Sequence, residues 1–207
     1  MDGMKEFPDK YFDLAIVDPP YGGVTQGGYM SNTSSVLAKN KEYHTSLWSM
    51  KAPTLEYFKE LFRVSSEQII WGGNYFVDNL KPSQCWIVWD KDNGENHYAD
   101  CELAWTSFNS AVRKIKFKWQ GMLQGNMKLK ETRIHPTQKP VALYKWILSN
   151  YAKEGDKILD THVGSASSLI ACRDMGFDYV GFEIDKEYYD MACKRIEEEF
   201  AQLRFSL

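Results

Sequence analysis

Residues 14–17 (Leu-Ala-Ile-Val) are an unbroken apolar run that stops at Asp18-Pro19-Pro20-Tyr21. A run this short, with no polar alternation, suits a strand buried on both faces at the centre of an α/β sheet. The rest of the chain supports that class, because further strand-like runs alternate with helical patterns. Residues 53–63 place Leu55, Phe58, Leu61 and Phe62 on one helical face behind Pro53, and residues 69–71 form a strand stopped by Gly72-Gly73. Residues 85–89 and 101–108 are strand candidates, and residues 112–119 alternate basic with apolar side chains, as in a strand with two unlike faces. The last third reads as a helix over 140–151, a strand over 157–160, a helix over 167–175 ended by Gly176, a strand over 179–184 and a helix from an Asp185 cap through residue 200. Residues 22–50 are rich in Gly, Ser and Asn and read as a long functional loop.

Composition removes several classes. With 43% hydrophobic and 26% charged residues over 207 positions, the chain is neither fibrous nor disordered. No window approaches the roughly 20 apolar residues of a membrane span, and the polar start is unlike a secretory signal. The four cysteines stand far apart at 85, 101, 172 and 193, with no Cys/His cluster. That spacing points to reduced cytoplasmic thiols rather than a metal site or a disulfide framework. The length favours one domain.

Two segments sit where ligands bind in open α/β sheets, beyond the carboxyl ends of strands. Asp18-Pro19-Pro20-Tyr21 combines a carboxylate, two residues without an N–H and an aromatic ring. This acceptor-rich corner suits a flat group with N–H donors, such as the exocyclic amine of a nucleobase, although a plain tight turn has the same composition. Residues 160–168 (Asp-Thr-His-Val-Gly-Ser-Ala-Ser-Ser) join a strand to a helix through Gly164, and Glu183 follows about twenty residues later. An acidic residue at that spacing is placed to bind ribose hydroxyls. Between them, residues 135–140 (His-Pro-Thr-Gln-Lys-Pro) read either as a helix start or as a polar clamp for the charged end of a nucleoside ligand.

Together these pieces resemble the amino-group DNA methyltransferases that use S-adenosylmethionine. Asp18-Pro19-Pro20-Tyr21 is similar to their catalytic tetrapeptide, residues 135–140 to the segment that begins their cofactor region, and residues 160–168 to their D-P-F-x-G-S-G-T turn. Gly181-Phe182-Glu183-Ile184-Asp185 matches their acidic motif, and Trp71-Gly72-Gly73-Asn74-Tyr75-Phe76, Trp89-Asp90-Lys91 and residues 99–108 match intervening segments. The order, catalytic motif first, is that of the beta-type permuted subgroup. The variant cofactor turn is similar to that of solitary phage and prophage forms, with Thr161-His162 in place of Pro-Phe and Ala166 in place of a glycine.

The resemblance implies a Rossmann-like methyltransferase fold with a mixed, mostly parallel sheet, helices on both faces and circularly permuted motifs. It divides the single domain 1–207 into a catalytic half (1–108), a short basic insert (109–134) and a cofactor-binding half (135–207). It implies Asp18, Pro19, Pro20 and Tyr21 as catalytic residues. It implies His135, Thr137, Gln138, Lys139, Asp160, His162, Gly164, Ser165 and Glu183 as the binding set for S-adenosylmethionine. The substrate is then double-stranded DNA with one base flipped out, with adenine N6 the first choice and cytosine N4 or an RNA base the alternatives. A methyltransferase-like DNA-binding module of weak turnover is a further alternative. Beta-type relatives are often dimers, so a homodimer is expected, and neither metal nor membrane is. In residues 111–133 seven basic residues face one acid, Glu131. Arg113, Lys114, Lys116, Lys118 and Trp119 read as a ribbon that contacts the nucleic-acid backbone, or else as a solvated face guarding an edge strand. So short an insert implies a short or degenerate target site, or specificity supplied by a second subunit.

Overall fold

The computed structural model describes residues 2–22, 51–94, 99–120, 123–124 and 130–204. The loop expected over 22–50 lies outside them apart from Gly22, Lys51 onward being described again; Lys128 of the basic insert is outside as well. In chain order the main elements are β1 (Phe12–Val17), α1 (Leu55–Val64), β2 (Ser65–Trp71), β3 (Trp86–Asp90), β4 (Cys101–Thr106), β5 (Arg113–Lys116), β6 (Trp119–Gln120), β7 (Leu123–Gln124), α2 (Val141–Tyr151), β8 (Lys157–Asp160), α3 (Ser167–Asp174), β9 (Asp178–Gly181) and α4 (Lys186–Arg204).

Seven strands form one sheet in the order β5-β3-β4-β2-β1-β8-β9. The pairs β1–β2, β1–β8, β3–β5 and β8–β9 are parallel, whereas β4 runs antiparallel to both neighbours. The expected mixed, mostly parallel α/β sheet is what the chain forms. Its apolar central strand is buried on both faces because its side chains alternate between two cores. Leu14 and Ile16 pack with Ile69, Trp71 and the α2 residues Leu143 and Ile147. Ala15 and Val17 pack on the other side with Ile70 and the α1 residues Tyr57, Phe58 and Leu61. Among the described residues no helix is long and apolar enough to cross a membrane.

Two expected strands end early, for local reasons. The strand expected over 112–119 breaks after Lys116. Its Trp119 turns inward to pair with Gln124 in the two-stranded β6–β7 ribbon. The strand expected over 179–184 leaves the sheet at Gly181, which frees Glu183 to reach sideways to the β8–α3 turn. The Asp185 cap forms as expected, its Oδ1 accepting from the N–H groups of Glu187 (3.0 Å) and Tyr188 (3.2 Å).

Ala166, at the position where the resemblance leads to an expected glycine, adopts the left-handed conformation at φ 63° while fully buried. Left-handed backbone costs an L residue about 1–2 kcal/mol. Burial of its methyl against Val163, Leu169 and Ala192 returns about 0.8 kcal/mol, and glycine would add entropy to the unfolded chain. These terms nearly cancel. Ala166→Gly is therefore expected to leave the thermal midpoint within ~4 °C of the parent in a calorimetric scan, about 1 kcal/mol for a chain of this size.

Candidate functional site

The parallel strands bring both motifs to one end of the sheet. Ala15 of β1 pairs with Leu159 of β8, so Asp18 and Asp160 leave adjacent strands on the same side. β4 reaches that end from the opposite direction. Its Trp71 partner is Ala104, and its early residue Glu102 therefore arrives beside the carboxyl end of β2.

At the first motif both carboxylate oxygens of Asp18 have partners. Tyr21 donates its hydroxyl to Oδ1 (2.7 Å), and Lys139 donates Nζ to Oδ2 (2.5 Å). Lys139, with a side chain only 2% exposed, also pairs with Glu102 at 3.2 Å. Glu102 pairs in turn with Lys91 at 2.5 Å. The Lys139 ammonium stands 5.2 Å from the Trp71 ring centroid. Burial alone would pull the Lys139 ammonium below the ordinary lysine value, but the Asp18 and Glu102 carboxylates outweigh it and hold the value above. Burial pushes Glu102 up, and Lys139 and Lys91 more than reverse it. Burial first, and then the Asp18 charge, lift the Tyr21 phenol far above its ordinary value, so it stays a hydrogen-bond donor.

Tyr21 is held by its surroundings as well as by Asp18. Its ring stacks on Tyr75 with centroids 4.8 Å apart and meets Phe76 edge-on at 5.9 Å. Gly72, at φ 67°, passes so close that a Cβ there would lie 2.2 Å from the Tyr21 ring. Both the backbone angle and the close approach require glycine at 72.

The second motif is a knitted turn. Ser168 Oγ and the backbone N–H of His162 (2.9 Å) donate to Asp160, which is 2% exposed. Burial raises Asp160 to about 7 against the lowering effect of those two bonds. Thr161 Oγ1 lies 2.6 Å from the Tyr57 hydroxyl of α1 and 2.9 Å from His162 Nδ1. Burial lowers His162 to about 3 and His135 to about 4, so both imidazoles are neutral at pH 7. Gly164, at φ 51°, donates its N–H to Glu183 Oε2 (2.8 Å), and the Asp185 N–H donates to Oε1 (2.9 Å). The His135 ring covers Gly164, 3.5 Å from where a Cβ would stand, and meets Tyr188 edge-on at 4.3 Å.

Several of the expected residues are bonded to the chain itself. Lys139, expected in the polar clamp, lies against Asp18. Gln138 is buried and knits its own loop, accepting from the Ile134 N–H (2.9 Å) and donating to the Thr132 carbonyl (3.3 Å). Thr137 turns its hydroxyl to His135 Nδ1 (3.1 Å). Ser165 is buried, its carbonyl accepting from Arg195 Nη1 (2.7 Å). Trp119 is not part of the basic face. It is 8% exposed and donates its indole N–H to the Gln138 carbonyl (2.9 Å). Arg113, Lys114 and Lys116 lie exposed on the edge strand β5, with Lys118 half-buried beyond it. Lys114 pairs with Asp90 (3.4 Å) and Lys116 with Asp92 (2.8 Å).

Sequence reasoning missed Glu102, Arg195 and Glu131. Arg195 of α4 also donates to Ser167 Oγ (2.9 Å) and to Glu131 Oε2 (2.7 Å), while the Val141 N–H donates to Glu131 Oε1 (2.9 Å). One buried ion pair thus ties the cofactor turn, the last helix and the start of α2 together. Glu102 could have been suspected as the only acid in the otherwise apolar half of β4, whereas nothing local singles out Arg195.

The model of a DNA methylase family, the N6/N4 methyltransferases, matches residues 29–194. The chain belongs to this family. The type II methyltransferase M2.DpnII of Streptococcus pneumoniae is 31% identical over 200 residues, covering 94% of this chain and 68% of the relative. The crystal structure of the M1.HpyAVI–SAM complex superposes with a TM-score of 0.53 at 24% identity, covering 90% of this chain and 89% of that one. PvuII DNA methyltransferase, described as cytosine-N4-specific, superposes at 0.56 with 13% identity, covering 96% and 88%. These likenesses match the expected Rossmann-like methyltransferase fold. The methylase is an amino DNA methyltransferase.

Asp160 makes the stability of the methylase depend on pH. Its folded value near 7 exceeds the unfolded value, so the folded state retains a proton that the unfolded state has lost. The contribution favours folding below about pH 4 and is lost as pH rises through 7. Relative to Asp160→Asn, the parent is expected to lose stability across that window and to level off above it. Urea midpoints of both proteins at pH 5, 6, 7 and 8 check this; a difference that does not change with pH would refute it.

Proposed function

We propose that the methylase transfers a methyl group from S-adenosylmethionine to the exocyclic amine of a flipped base in double-stranded DNA, adenine N6 in the first place. The observation that carries this reading is the position of Asp18 and its Tyr21–Tyr75 stack at the same sheet end as the Gly164–Glu183 turn. The donor set fits the cofactor. Glu183 keeps lone pairs free beyond its two backbone bonds for ribose hydroxyls. Ile184, 84% exposed beside it, offers an apolar wall to a flat purine. The ionised fraction of Asp160 supplies negative potential for a sulfonium. When bound, S-adenosylmethionine supplies an activated methyl group and an excellent leaving group.

The chain's own residues then align the amine. Its lone pair is delocalised into the base ring, so it attacks poorly. Asp18 and the carbonyl of Pro19 each accept one N–H, which favours a pyramidal nitrogen whose lone pair faces the methyl carbon. Positioning of this kind accounts for most of the acceleration expected, since the leaving group departs as a neutral thioether without help and the nitrogen, cationic once methylated, readily gives up one N–H proton to Asp18 or to solvent. Pro20 stiffens the corner without adding a competing donor. The target base is unreachable inside a duplex and must be turned out of the stack. A base that stacks on the Tyr21 face now covered by Tyr75 takes the place of Tyr75; the new stack contributes about 1–3 kcal/mol, less the roughly 0.5–1.5 kcal/mol of the ring pair it displaces. The choice of adenine rests on Asp, rather than Ser, at the head of the tetrapeptide; the fold is shared with a cytosine-N4 enzyme and does not select the base.

Asp18→Ala is expected to abolish transfer of label from S-adenosylmethionine to unmethylated genomic DNA while calorimetry still detects cofactor binding. Transfer near the parent rate would overturn the mechanism. Nucleoside analysis of the labelled product should show N6-methyladenine; N4-methylcytosine would correct the base, and cofactor binding without transfer to DNA or RNA would make the chain a binding module. For the backbone contact, Lys116→Glu combined with Lys118→Glu should weaken DNA binding and reduce the slope of log affinity against log salt by about 2. An unchanged slope removes this ribbon from the interface.

A further inference from the structure

The chain Asp18–Lys139–Glu102–Lys91 has a feature that the alignment of the amine does not by itself explain. Lys139 is buried between two carboxylates, at 2.5 Å from Asp18 Oδ2 and 3.2 Å from Glu102 Oε2. Asp18 is the group that must accept an N–H from the target amine, yet a buried ammonium on one of its oxygens and a phenol on the other already fix its orientation and draw on its negative charge, so the lone pairs that remain accept more weakly. With Asp18 as its sole counter-ion, Lys139 would compete with the substrate at every turnover. Drawing it away would strand a desolvated cation, which is strongly unfavourable. Glu102 removes that conflict. It lies on a different strand, within ion-pair distance of the same Nζ, and Lys91 compensates it from the far side at 2.5 Å. The ammonium can therefore lean on Glu102 while Asp18 turns its acceptor to the base, and no charge is left alone.

We propose that Glu102 is a positioning residue for methyl transfer, a second seat for the Lys139 ammonium that releases Asp18 to the target amine. This rests on the reading of Asp18 given above. Glu102 touches neither base nor cofactor in this scheme. It acts through Lys139, so its loss is felt where Asp18 meets the DNA and not where S-adenosylmethionine binds.

The test is a set of variants assayed with labelled S-adenosylmethionine and unmethylated genomic DNA, with cofactor binding followed by calorimetry. Glu102→Gln keeps the shape but leaves Asp18 as the only anion for Lys139. It should lower kcat/KM for DNA about tenfold or more while the cofactor dissociation constant stays within about twofold. Glu102→Asp restores the charge and should recover most of the activity. The double variant Glu102→Gln/Lys139→Met removes the clamp as well as its release, and should be faster than Glu102→Gln alone, a rescue that a purely structural role would not give. Full activity in Glu102→Gln, or a double variant no faster than the single one, overturns the proposal. Loss of cofactor binding in Glu102→Gln that Glu102→Asp does not repair also overturns it, because Glu102 is then structural. Asp18→Ala separates the failures. If it still transfers methyl groups, the reading of the site falls. If it is inactive while Glu102→Gln is fully active, only the role of Glu102 falls.

Discussion

Alternation of sign is what allows so much charge to be buried at the working end of this sheet. Asp18, Lys139, Glu102 and Lys91 come from just past β1, the segment before α2, β4 and just past β3, and each cation lies between or beside anions. Any one of them alone in that environment would shed its charge or draw in water. Taken together they sum to zero and fix one another's rotamers. The fold meets this requirement by running β4 against its neighbours, which delivers a residue from the beginning of one strand to the end of the next.

The turn over residues 160–168, proposed above to hold the cofactor, is held by a different device. It carries little charge that is not hydrogen-bonded to backbone, and its shape comes from Asp160, Glu183 and Arg195, which accept from or donate to the loop itself. Such a turn is formed before any ligand arrives, so less ordering entropy is lost on binding. The left-handed Ala166 belongs to the same economy, since the turn keeps a conformation that glycine would adopt more freely in exchange for one more buried methyl group.

Much of the fold was legible along the sequence. Apolar runs ending in Asp18 and Asp160, the Gly164 turn and the Asp185 cap report local constraints, and local constraints are what a linear reading sees. The site was legible as far as each motif is a single stretch of chain. It failed where a partner arrives from a distant segment. Lys139 and Gln138 stand in adjacent positions of one motif, yet one answers to Asp18 and the other to its own loop. Trp119 alternates with lysines as a surface strand would, but the β6–β7 ribbon turns its indole inward. Glu102 and Arg195 owe their importance entirely to topology.

The contact between Gly72 and the Tyr21 ring couples two positions some fifty residues apart. Descendants of this chain are not free to vary them one at a time: a side chain at 72 is admissible only after the ring at 21 has shrunk or moved, and that change dismantles the corner first. Drift at the bend after β2 should therefore be frozen for as long as the tyrosine is under selection. A side chain at 72 is thus expected only in company with a smaller residue at 21.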